Sequence, residues 1–138
     1  MRHIKQINFM KILIIFITLI FSSNVYSGQD LNSDEVKVLI SDKTVIQKHA
    51  HKGVKIAIYF SSDGTFRHKK KGKKVKGEWH VDSEGKLCKK YKDVHEKCVA
   101  IVKVGNEWKS YFVPIHPTFP REHLFTYIKI LDGNPKKL

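Results

Sequence analysis

The chain has 138 residues, 26 lysines and arginines against 13 acids, and a formal charge of +13. That length allows one ordinary domain and argues against two, and 41% hydrophobic with 28% charged residues is a globular mix rather than a disordered one. Outside the N-terminus there is no 18-residue apolar run, which excludes a polytopic membrane protein.

Residues 1–27 read as a secretory signal peptide. Arg2, Lys5 and Lys11 form a basic region, Ile12–Phe21 is the apolar stretch, and Val25-Tyr26-Ser27 suits cleavage after Ser27. The apolar stretch is too short to span about 30 Å of hydrocarbon comfortably. No Cys follows it to carry a lipid anchor. The expected product is a secreted or periplasmic protein with no transmembrane segment after cleavage. It comprises residues 28–138 as a single small β domain, and losing the three cations takes the charge from +13 to +10.

Gln29–Asn32 is a short polar lead. Asn32 or Ser33 can cap a helix, and Glu35 stands at the capping-box spacing from Asn32. Val36, Leu39 and Ile40 share one helical face, so the pattern predicts a short helix over Ser33–Ser41 lying across one end of the β domain. From Thr44 the period changes to two. Strands are predicted over Thr44–Ala50 and Val54–Phe60, joined by His51-Lys52-Gly53, with Val54, Ile56, Ile58 and Phe60 on one face. Asp63-Gly64 is a turn before a strand over Thr65–His68, and Lys69–Lys74 reads as a loop. Val75–Val81 alternates cleanly, with Val75, Gly77, Trp79 and Val81 on one face. Lys86–Tyr91 and Lys97–Val104 flank a polar loop, Gly105-Asn106 is a two-residue hairpin turn, and Glu107–Val113 comes next. A stretch with Pro114, Pro117 and Pro120 precedes a last strand over Leu124–Leu131, which Asp132-Gly133-Asn134-Pro135 ends.

The result is mainly β: about eight short antiparallel strands after one helix. Even spacing and hairpin links favour a small, calycin-like meander barrel, which leaves no free sheet edges. A two-sheet sandwich is the alternative. A barrel of eight strands can fill its interior with side chains or hold one small ligand. Cys88 and Cys98 form an even pair in an exported chain, which reads as one disulfide between adjacent antiparallel strands.

Asp63-Gly64-Thr65, Gly77-Glu78-Trp79-His80-Val81, Gly85-Lys86-Leu87-Cys88, Cys98 and Gly133-Asn134-Pro135 stand in an order that resembles a family of small exported bacterial proteins of unknown function. The resemblance covers most of residues 33–138. It implies the fold and export, and supplies no catalytic residues. The family pattern places Arg-Gly after the first motif, whereas here Thr65-Phe66 leads into Arg67-His68 and a lysine run. Physically, Asp-Gly supplies a hairpin turn, Gly77 admits a bulky ring against the strand, and Trp79 is a core anchor or a ligand platform.

Arg67, Lys69, Lys70, Lys71, Lys73, Lys74 and Lys76 put seven cations in ten residues with no acid among them. Such a run repels itself and suits an anionic polymer or membrane surface, or else serves solubility. Without a known motif and with an export signal, sequence-specific nucleic-acid binding is not expected. His49 and His51 could share a strand face and chelate a metal, but no third ligand stands nearby, so no metal and no cofactor are expected. Catalysis finds no support. Asp63, Asp82, Asp93 and Asp132 sit in turns, both cysteines are expected to be oxidised, and neither a nucleophile elbow nor a glycine-rich phosphate loop is present.

The reading is therefore an exported, monomeric, non-catalytic binding protein whose lysine-rich hairpin contacts anionic surfaces or polymers. One alternative is a carrier of a small apolar ligand in the barrel interior, lined by residues such as Ile56, Ile58, Trp79, Phe112 and Phe125. Another is an inhibitor or interaction module that docks through the Pro114–Pro120 loop, if Phe119 does not instead tuck in to close the barrel.

Overall fold

The structure is a computed structural model that describes residues 28–138. The proposed signal peptide lies outside the described residues.

Among the described residues, one helix precedes the barrel. In α1 (Ser33–Ile40), the Asn32 side chain accepts a hydrogen bond from the Glu35 amide at 2.9 Å, and the Asn32 amide donates to the Glu35 carboxylate at 2.8 Å. This reciprocal pair satisfies two amides that the first helical turn cannot bond itself. Val36 and Ile40 face inward and are fully buried.

The strands are β1 (Gln29–Asp30), β2 (Lys43–His49), β3 (Lys55–Phe60), β4 (Thr65–Lys70), β5 (Lys73–Val81), β6 (Leu87–Tyr91), β7 (Lys97–Val104), β8 (Glu107–Phe112) and β9 (Glu122–Asp132). From β2 to β9 each strand pairs antiparallel with the next, and β9 pairs back onto β2. The meander is thus a closed eight-stranded barrel, which removes the sandwich alternative. The two-residue β1 lies where the sequence suggests only an irregular lead. It pairs with Val102 and Lys103 of β7, beyond the point where β6 and β7 are paired (Leu87–Lys89 with Lys97–Val99). It therefore occupies an edge that would otherwise present unpaired amides.

A second correction concerns residues 69–74. They are not a loop: β4 and β5 run on through Lys70 and from Lys73, joined by Lys71 and Gly72 at φ 51° and 76°. Positive φ at both turn positions gives the tight two-residue reversal that matches strand twist. Lysine has low strand preference, so a lysine run reads as a loop, but pairing with a facing strand overrides that preference.

Strand direction assigns each connection to an end. Residues 61–64, 82–86 and 105–106 lie at the end where β2 starts, and residues 50–54, 71–72, 92–96 and 113–121 lie at the other. Helix α1 packs against β2 and β5, and its Val36 and Ile40 join Val45, Ile58, Phe60, Phe66, Trp79, Leu87, Ile101 and Tyr127 in one core. The helix thus seals the first end. Trp79 is a core anchor there: it is 9% exposed, meets Phe60 edge-on at 5.7 Å and donates its indole N–H to the Ser61 carbonyl at 2.8 Å. Among the described residues, no helix lies over the opposite end.

Candidate binding site

The open end holds a cavity of about 690 Å³. Leu87, Tyr91, Val99, Phe125 and Tyr127 supply much of its apolar wall, and Leu124 and Phe112 stand toward its mouth. Period two on β6 turns Leu87, Lys89 and Tyr91 to the interior, while Lys90 between them is exposed. Two register shifts shape the opposite wall. β9 slips against β2 between Ile46 and Gln47 and against β8 between Ser110 and Tyr111. Phe125 and Tyr127 share the inward face by period two, and the slip at Leu124 lets that residue line the cavity beside Phe125.

The less exposed polar groups of this wall include Gln47, Ser110, Tyr127 and Lys89, and the exposed His95, Glu96, Lys97 and Glu122 also line it. Gln47 and Ser110 are 3% and 2% exposed. Burial pushes the Lys89 ammonium down to about 8 and raises both tyrosine hydroxyls, Tyr91 and Tyr127. No carboxylate lies within ion-pair distance of Lys89 among the described residues. Nearby, His68 points inward from β4. Its Nε2 lies 3.1 Å from the Tyr91 hydroxyl, and its buried Nδ1 has no hydrogen-bond partner among the described residues. Burial lowers its pKa, the Lys69 backbone opposes that shift in part, and the charges of Lys89 and Lys70 add to it.

Of the five interior residues expected to line a ligand space, only Phe112 and Phe125 do so. Ile58 and Trp79 belong to the packed core beneath the helix, and Ile56 packs against it. Lys89 is a cavity residue that the sequence reading misses. Its alternation with Leu87 and Tyr91 is the signal, but a lysine among Lys86, Lys90 and Lys92 reads as surface.

The seven cations of the β4–β5 hairpin are divided by the ladder. Arg67 opposes Lys76 and Lys69 opposes Lys74, so these four share one face. Lys70 and Lys73 oppose each other on the other face, and Lys71 occupies the turn. β3 pairs β4 only as far as His68, and β6 pairs β5 only from Gly77. Residues 69–76 therefore stand beyond their neighbours as a two-stranded ribbon at the open end. Around that end lie Val54, Val94, Phe112, Ile115 and Phe119, five of the seven large hydrophobic residues that are exposed among the described residues. Phe119 is 64% exposed, with its ring edge-on to that of His116, so it does not close the barrel. Arg121, which ends the proline-rich connection, forms a bidentate pair with Asp30 of β1 at 2.7 and 2.8 Å.

Cys88 and Cys98 are directly opposite on β6 and β7 and are joined in a disulfide. This fits an oxidising, extracytoplasmic compartment. His80, opposite Cys88 on β5, lies 3.2 Å from Glu96. His80, Cys88 and Glu96 have the spacing of a metal site, but the Cys88 sulfur is in the disulfide and offers no thiolate. The His49–His51 pair is not a strand chelate. β2 ends at His49, whose Nδ1 accepts from the amides of His51 and Lys52 and so caps the turn. Asp63 and Asp82 do serve turns: Asp63 accepts from the Thr65 amide and hydroxyl, which lowers its pKa, and Asp82 accepts from the Glu84 and Lys86 amides.

No family model, no curated protein and no solved structure matches this chain.

Proposed function

We propose that this is an exported, non-catalytic binding protein that holds a small, largely apolar ligand in the open end of its barrel. The observation that carries the reading is the cavity of about 690 Å³, walled mainly by apolar side chains with a few polar groups among them. That volume lies within the range of roughly 300–1,000 Å³ typical of small-ligand sites. A packed barrel of this size needs no such space, because eight strands can fill their interior with side chains.

The test uses the mature, oxidised protein and the neutral fluorophore N-phenylnaphthylamine. Saturable binding, insensitive to salt and lost when Leu124→Trp fills the mouth, is the expected result. Absence of saturable binding, or binding that ignores Leu124→Trp, overturns the reading.

The lysine ribbon supports a second role at the same end, contact with an anionic lipid surface. Its cations stand at the same end of the barrel as the five exposed hydrophobic residues, and attraction to such a surface is worth about 1 kcal/mol per Lys or Arg.

A further inference from the structure

We propose that Lys89 is the headgroup anchor of the cavity, and that the ligand is a singly charged amphiphile with a carboxylate at one end and an aliphatic body. The inference rests on the cavity reading above.

Lys89 lines a wall otherwise rich in Leu87, Tyr91, Val99, Leu124 and Phe125. An ammonium held among apolar groups, with no carboxylate in ion-pair range among the described residues, is destabilising by itself. Its depressed basicity records the same desolvation. An anion brought by a ligand supplies the missing counter-charge and turns the cost into a specific contact. Other polar groups of the same cavity suit that role, since the Ser110 hydroxyl and the Gln47 amide can both donate to a carboxylate.

Charge counting selects the class of anion. The other charged residues of the wall are Lys97, Glu96 and Glu122, two acids to one lysine, all exposed toward the mouth. Glu96 also pairs with His80. Lys97 stands directly opposite Lys89 on β7 and shares its face, but it is exposed; Lys89 is the lysine held among the apolar groups, and one such ammonium balances one negative charge. A carboxylate meets that demand, whereas a doubly charged phosphate monoester would leave a charge unpaired in an apolar setting. The apolar walls then fit an alkyl body rather than a polar one.

The experiment is displacement of N-phenylnaphthylamine by lauric acid and by dodecanol, in the unaltered protein, Lys89→Met and Lys89→Arg. Expected is a preference for the acid of about tenfold or more in the unaltered protein, the size of one charge-assisted hydrogen bond. That preference should vanish in Lys89→Met and survive in Lys89→Arg, while dodecanol displaces equally from all three. Equal displacement by acid and alcohol from the unaltered protein overturns the anchor and leaves the cavity reading standing. A preference that persists in Lys89→Met also overturns it and moves the anion to the lysine ribbon. Failure of the fluorophore itself to bind overturns both readings.

Discussion

Gly77 lies directly opposite Phe66 across the β4–β5 ladder, and the Phe66 ring fills the space where a Cβ on Gly77 would sit. The Lys90 carbonyl oxygen closes the same space from β6, 2.7 Å from that position, and as backbone it cannot turn aside. Phe66 is fully buried and meets Tyr91 edge-on at 5.0 Å, so its ring has nowhere to go without disturbing the cavity wall. Gly77→Ala should therefore cost roughly 2 kcal/mol, the usual scale of overpacking in a tight core. A lowered urea midpoint with an unchanged slope checks this.

Lys89 predicts the opposite sign. Its pKa is about 8 in the folded protein and near 10.4 when unfolded, so the unfolded chain binds the proton more tightly between those values. The stability it withholds at neutral pH returns as pH rises from about 8 to about 10. Lys89→Met should be more stable than the unaltered protein at pH 7, by about 2 kcal/mol after discounting for solvent that enters the cavity. The gap should narrow by pH 10. Denaturant titrations at the two pH values read both effects, and a less stable Lys89→Met at pH 7 would contradict the assignment of the buried charge.

His68 predicts an acid limb. Burial holds its pKa below the ordinary value near 6.5, so the unfolded chain takes up the proton first as pH falls. The contribution is fully present above pH 6.5 and is lost on acidification below it. His68→Phe should flatten the fall in melting temperature between pH 7 and pH 5. Some slope should remain, because burial lowers His123 as well. An unchanged profile would show that the protonated ring finds an acceptor in the folded protein.

The ribbon sets a test of the surface-contact reading. Lys69, Lys70, Lys71, Lys73 and Lys74 are exposed, and Lys69–Lys74 and Lys70–Lys73 place like charges directly opposite each other. Changing all five to Gln should abolish co-sedimentation with anionic vesicles and leave stability equal or slightly higher. For the unaltered protein, binding should fall steeply between low and high salt. Retained binding in the variant would assign the contact elsewhere. Binding to a soluble sulfated polymer but not to vesicles would favour a polymer partner over a membrane.

Much of this barrel is legible in the period of the side chains. Val75, Gly77, Trp79 and Val81 alternate because one face of β5 is buried and the other is wet, and Asn32 with Glu35 marks the helix start by chemistry alone. The features that stay hidden depend on partners. Lys69 and Lys70 lie in a strand only because Lys73 and Lys74 face them, and no local preference announces that. The cavity draws on β2, β6, β7, β8 and β9, so its members are scattered along the chain. The slips of β9 near Ile128 and Leu124 decide which residues turn inward, and a one-residue slip exchanges the faces of a strand. Phe125 lines the cavity as its sequence suggests, whereas Ile58 and Trp79 face the same interior but fall at the helix-sealed end. Alternation tells inside from outside; it does not tell one end of a barrel from the other.

The two ends of the barrel bear different burdens. Helix α1 and the aromatic cluster of Phe60, Phe66 and Trp79 hold one end together, while the connections at 92–96 and 113–121 only border the other. Lengthening an exposed connection costs little, about 0.6 kcal/mol for each doubling. Recognition can therefore be rewritten in those two segments while the foundation beneath them stays as it is. As a scaffold, this chain separates what must be preserved for folding from what can be exchanged for a new ligand.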